Sequence, residues 1–459
     1  KGFSARMPEA AAVALSHHPL VDFVVENNLG SITATQFNPP WGLDRIDQRS
    51  GLNSSYTYTN TGRGVNAYII DTGITPTHQE FQLPSARAFA AYDALGGNGL
   101  DDNGHGTHVA GTIGGTTYGV AKEVTLRGVK VCNQSGGCTT EDIIEGVDWV
   151  TGYRSLPAVA NMSLRIPAND ALDRAVRNSI DWGGVSYVVG AGNEYFVDAG
   201  TYSPARVLEA LTVSGTDSSD RRGSFSFGSV VDVFAPGVGI TSAWYSSNTA
   251  TRTLNGTSMA TPHVAGVVAQ YRQTNPNDPP HIVAGVIRRN ATRGVVSDPG
   301  LGTTTRLLYS NFGMSVSRPT GTVPFLRYFN PDTGDHFYTT RYTELKEAAQ
   351  GYSFEWAEGY IRSTSASGTV ALYRYWNPTT WDHFYTTNFN ELGYGALGYS
   401  YEKIEGYVYS QQQAGTVPLY RYYNPSTGHH FYTTDYSEYG SGRDGFQFEW
   451  IQCYIFRSS

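Results

Sequence analysis

Three copies of one pattern fill the last third of the chain. TVPFLRYFNPDTGDHFYTT begins at Thr322, TVALYRYWNPTTWDHFYTT at Thr369 and TVPLYRYYNPSTGHHFYTT at Thr416, a period of 47 residues. A repeat this regular restricts the segment to folds in which like units close on one another. Each unit opens with an aromatic-rich run, turns at an Asn-Pro, and continues into a second run that ends Thr-Thr. A third strand signal follows as FEWAEGYI, YEKIEGYVY and FEWIQCYIF. Strands without a helical period predict a closed pseudo-threefold all-β domain, a β-trefoil first and a small propeller second. Residues 322–459 hold 34 of the 60 aromatic side chains. That concentration marks a domain with its own kind of core, and GMSVSRPTG at 313–321 reads as its linker.

Residues 37–310 follow another rule. Strand-like runs such as VNAYIID and VSYVVGAG alternate with helix-like runs such as DIIEGVDWV and ALDRAVRNSI. That alternation predicts an α/β fold, a parallel sheet with helices on both faces. Residues 1–33 form a third piece: a strand-like GFSARM, a short helix with Pro8 in its first turn, and a strand-like VDFVVEN. It is too short to hold a core and is expected to pack on its neighbour. The expected domains are therefore 1–33, 34–312, the linker 313–321, and 322–459.

Composition narrows the function. Against 32 Lys and Arg stand 40 Asp and Glu, a formal net charge of −8. Such a chain has no electrostatic reason to seek nucleic acid or anionic lipid. No run approaches 18 apolar residues, so no membrane span is expected. Three cysteines do not make a disulfide scaffold. Cys132 and Cys138, in CNQSGGC, suit a small local disulfide or a pair of free thiols, and Cys453 stands alone. The absence of a second close pair argues against zinc. The chain starts at Lys1 with no charged and apolar leader behind it, and reads as a processed or truncated piece of a precursor.

Three segments carry chemistry. YIIDTGI puts Asp71 at the C-terminal end of an apolar strand, the edge of a parallel sheet where ligand sites form. NGHGTHVAGTIGG puts His105 at the start of a helix, and NGTSMATPHVAGVV puts Ser258 at another helix N-terminus, where free N–H groups favour an oxyanion. A serine hydroxyl needs a base, and His105 supplies it; Asp71 would hold the imidazole tautomer and stabilise the imidazolium. Asn193, in GAGNEY, can donate to the oxyanion beside the Ser258 N–H. His108 and His263 read as packed structural histidines. Any one of these segments alone would be a turn, a core histidine or a helix cap; together and in this order they are a catalytic set.

Residues 34–310 resemble a subtilisin-type serine protease of the proteinase K branch, most of all the aqualysin-like bacterial enzymes. The resemblance rests on PWGLDRIDQRSG, DTGITPTHQEF, NGHGTHVAGTIGG, PAVANMSL and LNGTSMATPHVAGV. It implies a secreted serine endopeptidase working through an acyl-enzyme, without a redox or organic cofactor, and expected to be monomeric. Protein substrates would place a large apolar or aromatic P1 side chain between Ser163-Leu164 and Gly190-Ala191-Gly192. Structural calcium is implied at Asp232 with the carbonyls of Leu208 and Ala210, and at Asp44, Asp47 and Gln48. Residues 1–33 resemble the end of an inhibitory propeptide, which implies cleavage between Thr33 and Ala34.

The chain departs from the family at two points. Where the family reads SLGGG this chain reads SLRIP, so Arg165 is expected either to set a guanidinium at the cleft rim and favour an acidic residue upstream of the scissile bond, or to turn into solvent and take no part. Asp102 stands where the relatives have a cysteine, so their disulfide pattern does not transfer. The rival reading is a catalytically weak protein that binds a surface or carbohydrate through its repeats; an intact triad argues against it. In the repeats, Arg327, Arg374 and Arg421 fall in register, as do His336, His383 and His430. They read either as a threefold interlocking core or as three equivalent sugar pockets, the latter targeting a polysaccharide or cell wall.

Overall fold

The computed structural model describes residues 34–313 and 319–457. The expected propeptide piece, Thr33 included, and residues 314–318 of the expected linker lie outside them. Seven strands make one parallel sheet: β1 (Asn66–Asp71), β2 (Ala88–Asp93), β3 (Thr125–Lys130), β4 (Ala158–Met162), β5 (Ser186–Gly190), β6 (Leu211–Thr216) and β7 (Val233–Pro236). Their order is β7-β6-β5-β4-β1-β3-β2. Most of these strands are buried along their whole length, as a sheet covered on both faces requires.

Helices α1 (His105–Gly114), α4 (Thr257–Thr274) and α5 (Pro280–Asn290) cover one face and α2 (Thr140–Tyr153) and α3 (Asp170–Asp181) the other. Caps set the boundaries of α2 and α3: Thr139 Oγ1 accepts the N–H of Asp142, and Asn169 Oδ1 accepts those of Ala171 and Leu172. The first helix sits close against β1. A methyl group on Gly106 would meet the Gly73 carbonyl at 2.1 Å, so only glycine permits the approach. Cys132 is joined to Cys138 by a disulfide. Asp102 pairs with Lys130 at 2.7 Å.

The repeats build three antiparallel units. In each, the first strand lies between the other two: β8 (Thr322–Phe329) between β9 (His336–Thr339) and β10 (Tyr352–Arg362), β11 (Thr369–Asn377) between β12 (Asp382–Thr386) and β13 (Ser400–Tyr409), β14 (Thr416–Asn424) between β15 (His429–Thr433) and β16 (Phe446–Arg457). Tyr338, Tyr385 and Tyr432 close the ring. The hydroxyl of Tyr338 donates to the Tyr432 carbonyl, that of Tyr385 to Tyr338, and that of Tyr432 to Tyr385. Each hydroxyl also accepts a backbone N–H, from Tyr432, Tyr338 and Tyr385 respectively, at 2.7–2.9 Å. Six hydrogen bonds thereby satisfy nine buried polar groups at one point.

The in-register arginines are internal. Arg374 of the second unit meets Glu402 and Glu405 of its own unit and Glu344 of the first. Arg327 and Arg421 repeat the pattern with Glu438 and Glu391 of the preceding unit. His383 and His430 are held by Asp335 and Asp382.

The first unit docks on α5. His281 stacks on Tyr342 with ring centroids 3.7 Å apart, and Arg289 donates to the carbonyls of Ala357 and Glu358. Leu326, Tyr328, Phe354 and Ala357 are continuous with the core that contains Ile282, Val283 and Val286. The two regions therefore share one apolar cluster.

Candidate active site

The C-terminal edge of the sheet collects the sequence-marked residues. Asp71 ends β1 and is 2 % exposed; its carboxylate receives the Nδ1–H of His105 at 2.7 and 2.9 Å to its two oxygens. Because Asp71 accepts only, Nδ1 carries the proton and Nε2 keeps its lone pair. Burial works against protonating His105, but the charge and hydrogen bond of Asp71, with Asp101 behind, outweigh it and raise the imidazole pKa above its usual value. Asp101 also fastens the helix start, accepting the N–H groups of Gly104 and Thr107. His108, one turn on, shares a ring N–H between the carbonyls of Ile240 and Arg252, and burial pushes its pKa down to about 4. His263 bonds the Met259 carbonyl and is likewise pushed down to about 4 by burial.

Ser258 is the second residue of α4. The helix begins after Gly256; Asn193 takes the Thr257 N–H and the Gly256 carbonyl that of Met259, so the Ser258 N–H is the one turned toward a ligand. Pro262 lacks the N–H that would bind the Ser258 carbonyl, and Ser163 Oγ donates there instead, at 3.0 Å. Ser258 Oγ donates in turn to the Ser163 carbonyl at 3.2 Å. Asn193 is anchored through Oδ1, which accepts the N–H of Thr257 at 2.9 Å; its NH₂ is then the group left to donate outward. Parallel pairing of β4 and β5 sets Ser163-Leu164 beside Gly190-Ala191-Gly192.

Arg165 does not stand free at the rim. Its guanidinium bonds Glu194 and stacks over the Tyr202 ring at 4.2 Å. Glu194, next to Asn193, went unmarked in the sequence, as did Thr257; proximity to an important asparagine was the only signal.

The two expected calcium sites differ. At Asp232, the guanidinium of Arg288 donates to Oδ1 at 2.8 Å and to the Leu208 carbonyl at 3.3 Å. A cation already bridges two of the three expected ligands, so this set does not fit a metal. The sequence signal was a pair of arginines inside an otherwise apolar helix. At the other site, Asp44 and Asp47 are buried, and Asp47 Oδ1 has no hydrogen-bond partner among the described residues. Burial, with the Asp44 charge adding to it, raises the Asp47 pKa to about 6. Asp44 accepts the Gln48 amide N–H and the N–H groups of Asn53 and Ser54, so Asp47 Oδ1 is the one carboxylate oxygen of this set left for an oxygen-seeking cation.

A buried carboxylate on an imidazole, beside a serine at an open helix N-terminus on a doubly covered parallel sheet, marks a serine hydrolase of the Asp-His-Ser chain order. The subtilase family matches residues 62–312, and the chain belongs to it. It is a subtilisin-type serine endopeptidase. It is 50% identical over 316 residues to an extracellular serine proteinase of Thermus sp. (strain Rt41A), covering 68% of this chain and 76% of that one. It is 47% identical over 319 residues to alkaline serine exoprotease A of Vibrio alginolyticus, covering 67% of this chain and 58% of that one. A crystal structure of a cold-adapted subtilisin-like serine proteinase superposes with a TM-score of 0.58 at 50% identity, covering 60% of this chain and all of that one. The repeats match a domain of unknown function (DUF5648) over residues 304–395 and 324–456. No helix among the described residues is long and apolar enough to cross a membrane.

Proposed function

We propose that this secreted endopeptidase cuts proteins with Ser258 as nucleophile, His105 as general base and acid, and Asp71 as the group that orients His105. The observation that carries the reading is the His105 ring held by both oxygens of a buried Asp71. For the reaction the Ser258 hydroxyl would exchange the Ser163 carbonyl for Nε2 of His105, the ring nitrogen Asp71 leaves unused. Attack on the substrate carbonyl forms an oxyanion that the Ser258 N–H and the Asn193 amide stabilise. His105 then protonates the leaving amine, and water cleaves the acyl-enzyme by the same route in reverse. Ser258→Ala tests it: kcat should fall about 10⁶-fold, a magnitude taken from subtilisin itself. Near-normal turnover by the folded variant would refute the assignment.

The remaining parts follow the same reading. Residues 1–33 act as the end of an inhibitory propeptide, released between Thr33 and Ala34; 34–312 are the peptidase and 322–459 the appended domain beyond a 313–321 linker. Calcium held by Asp44, Asp47 and Gln48 would tie the N-terminal segment to the domain, an electrostatic cross-link with no part in the chemistry. The exposed Trp381, packed edge-on against Trp376 in the second unit, offers a flat aromatic face to a polysaccharide or cell-wall ligand.

A further inference from the structure

The segments that follow β4 and β5, residues 163–165 and 190–193, run side by side next to Ser258. Ser163 and Ser258 exchange hydrogen bonds, and the Gly192 N–H bonds Thr257, the neighbour of Ser258. A peptide attacked by Ser258 would lay the side chain on the acyl side of the scissile bond between these two segments. That place is already furnished. A methyl group built on Gly192, at φ +114°, would lie 3.3 Å from Arg165 Cδ and 3.4 Å from Glu194 Oε2. The arginine stem thus crosses from one wall to the other and ends in its ion pair with Glu194. Each end is fixed. Tyr202 lies under the guanidinium, and its strand pairs with Ile166-Pro167 directly after Arg165. The Asn193 N–H donates to Glu194 Oε2 at 3.2 Å.

We infer that Arg165 and Glu194 form a clasp across the primary specificity pocket, so that this peptidase selects short P1 side chains, alanine or serine, over phenylalanine or tyrosine. This deepens the peptidase reading and rests on it. A large ring enters only by displacing the guanidinium from Glu194 and Tyr202. Arg165 and Glu194 remain about a third exposed, 31% and 35%. A pair that exposed, with one cation–π contact, opens at modest cost, so the discrimination is about tenfold rather than absolute. Pairing with Glu194 also cancels the charge that would otherwise have drawn acidic residues to the rim.

The test is a set of peptides differing only at P1, as Ala, Ser, Leu and Phe, run with the full chain, Arg165→Gly and Glu194→Gln. Reaction of Ser258 with a fluorophosphonate is measured alongside. The parent should give a kcat/KM for Ala about tenfold above Phe. Arg165→Gly should reverse that order, and Glu194→Gln should narrow it. A parent that prefers Phe overturns the inference without any variant. So does an Arg165→Gly enzyme that reacts with the fluorophosphonate yet keeps the parent's order. If no peptide is cut and Ser258 stays unlabelled, the peptidase reading itself falls, and the clasp with it.

Discussion

Arg288→Ala should cost the folded chain about 3 kcal/mol, and the structure says why. The guanidinium is 7% exposed and serves three acceptors: Asp232 at 2.8 Å, the Leu208 carbonyl at 3.3 Å and Glu347 of the first repeat at 3.4 Å. Removing it strands the buried carboxylate of Glu347, the partly buried one of Asp232 and a carbonyl. Breaking a buried pair typically costs about 3–5 kcal/mol, chiefly the desolvation of the charge left behind. Glu347 softens the loss. Burial, only partly opposed by Arg288, already raises its pKa to about 7, so it takes up a proton readily once the arginine is gone. Asp232 has less relief, since one oxygen remains committed to the Thr212 N–H. The figure therefore sits at the lower end, and by size scaling a drop in Tm of about 3–5 °C follows. Melting is best followed in the Ser258→Ala background, where autolysis cannot blur the transition. Arg288→Lys keeps the charge but not the fork, and should fall between. Millimolar calcium should restore part of the Arg288→Ala loss, because the carboxylate and carbonyl are then free to take a cation. A variant melting within 1 °C of its parent would refute the reasoning.

Three other outcomes are expected. Only neutral His105 can take the serine proton, and its pKa is raised, so kcat/KM should fall as pH drops through a value above about 6.5; an acid limb below that value would count against the Asp71 contact. Chelation should lower the Tm of the parent, and Asp47→Asn should abolish that sensitivity, since the metal binds the folded state alone; superimposable parent curves with and without chelator would remove the calcium reading. A chain ended at Phe312 should keep its kcat on a small peptide when cold but melt lower, because α5 loses Tyr342, Glu347 and Phe354 as partners; an unchanged Tm would mean the repeat contact stabilises nothing.

Legibility in the sequence followed the range of the interaction. Asp71, His105 and Ser258 each sit in a long motif, because strand end, helix start and tight glycine turns constrain many neighbours at once. The alternation of strand and helix runs likewise exposed the parallel sheet. Partnerships between distant single residues left no such trace. Arg288 reaches Asp232 across 56 positions and Glu347 across 59, and the Arg288-Arg289 pair in an apolar helix marks a need for partners without naming them. Arg165 was visible as a departure, but its meaning depended on Glu194, 29 positions away on another segment. The repeat period gave the register of the arginines, histidines and tyrosines. Whether they faced outward or inward was a property of ring closure, and no single unit carries it.

Closure also explains where the repeat symmetry fails. Asp335 accepts the His383 ring, the His383 backbone N–H and the Tyr352 hydroxyl; Asp382 accepts the same three groups from His430 and Tyr399. In the third unit the corresponding positions hold His429 and Phe446. The acceptor and the phenol donor are lost together, which is the only way to lose either without stranding its partner. What remains is His336, whose buried Nδ1 has no partner among the described residues. Burial, with the Arg327 charge adding to it, pushes its pKa down to about 3, so the ring stays neutral and Nδ1 can be left as a bare acceptor. Arg421 shows the same relaxation, since Gln452 stands where Arg327 and Arg374 meet Glu358 and Glu405. The first unit keeps its full carboxylate set, and it is the unit that docks on α5, with Glu358 also receiving Thr434 across the ring. The carboxylate set around the in-register arginine is thus complete in the first unit and thinned in the third, while His336 of the first unit is the ring that loses its acceptor. The in-register groups are members of one closed scaffold, and three equivalent ligand pockets are not required to account for them.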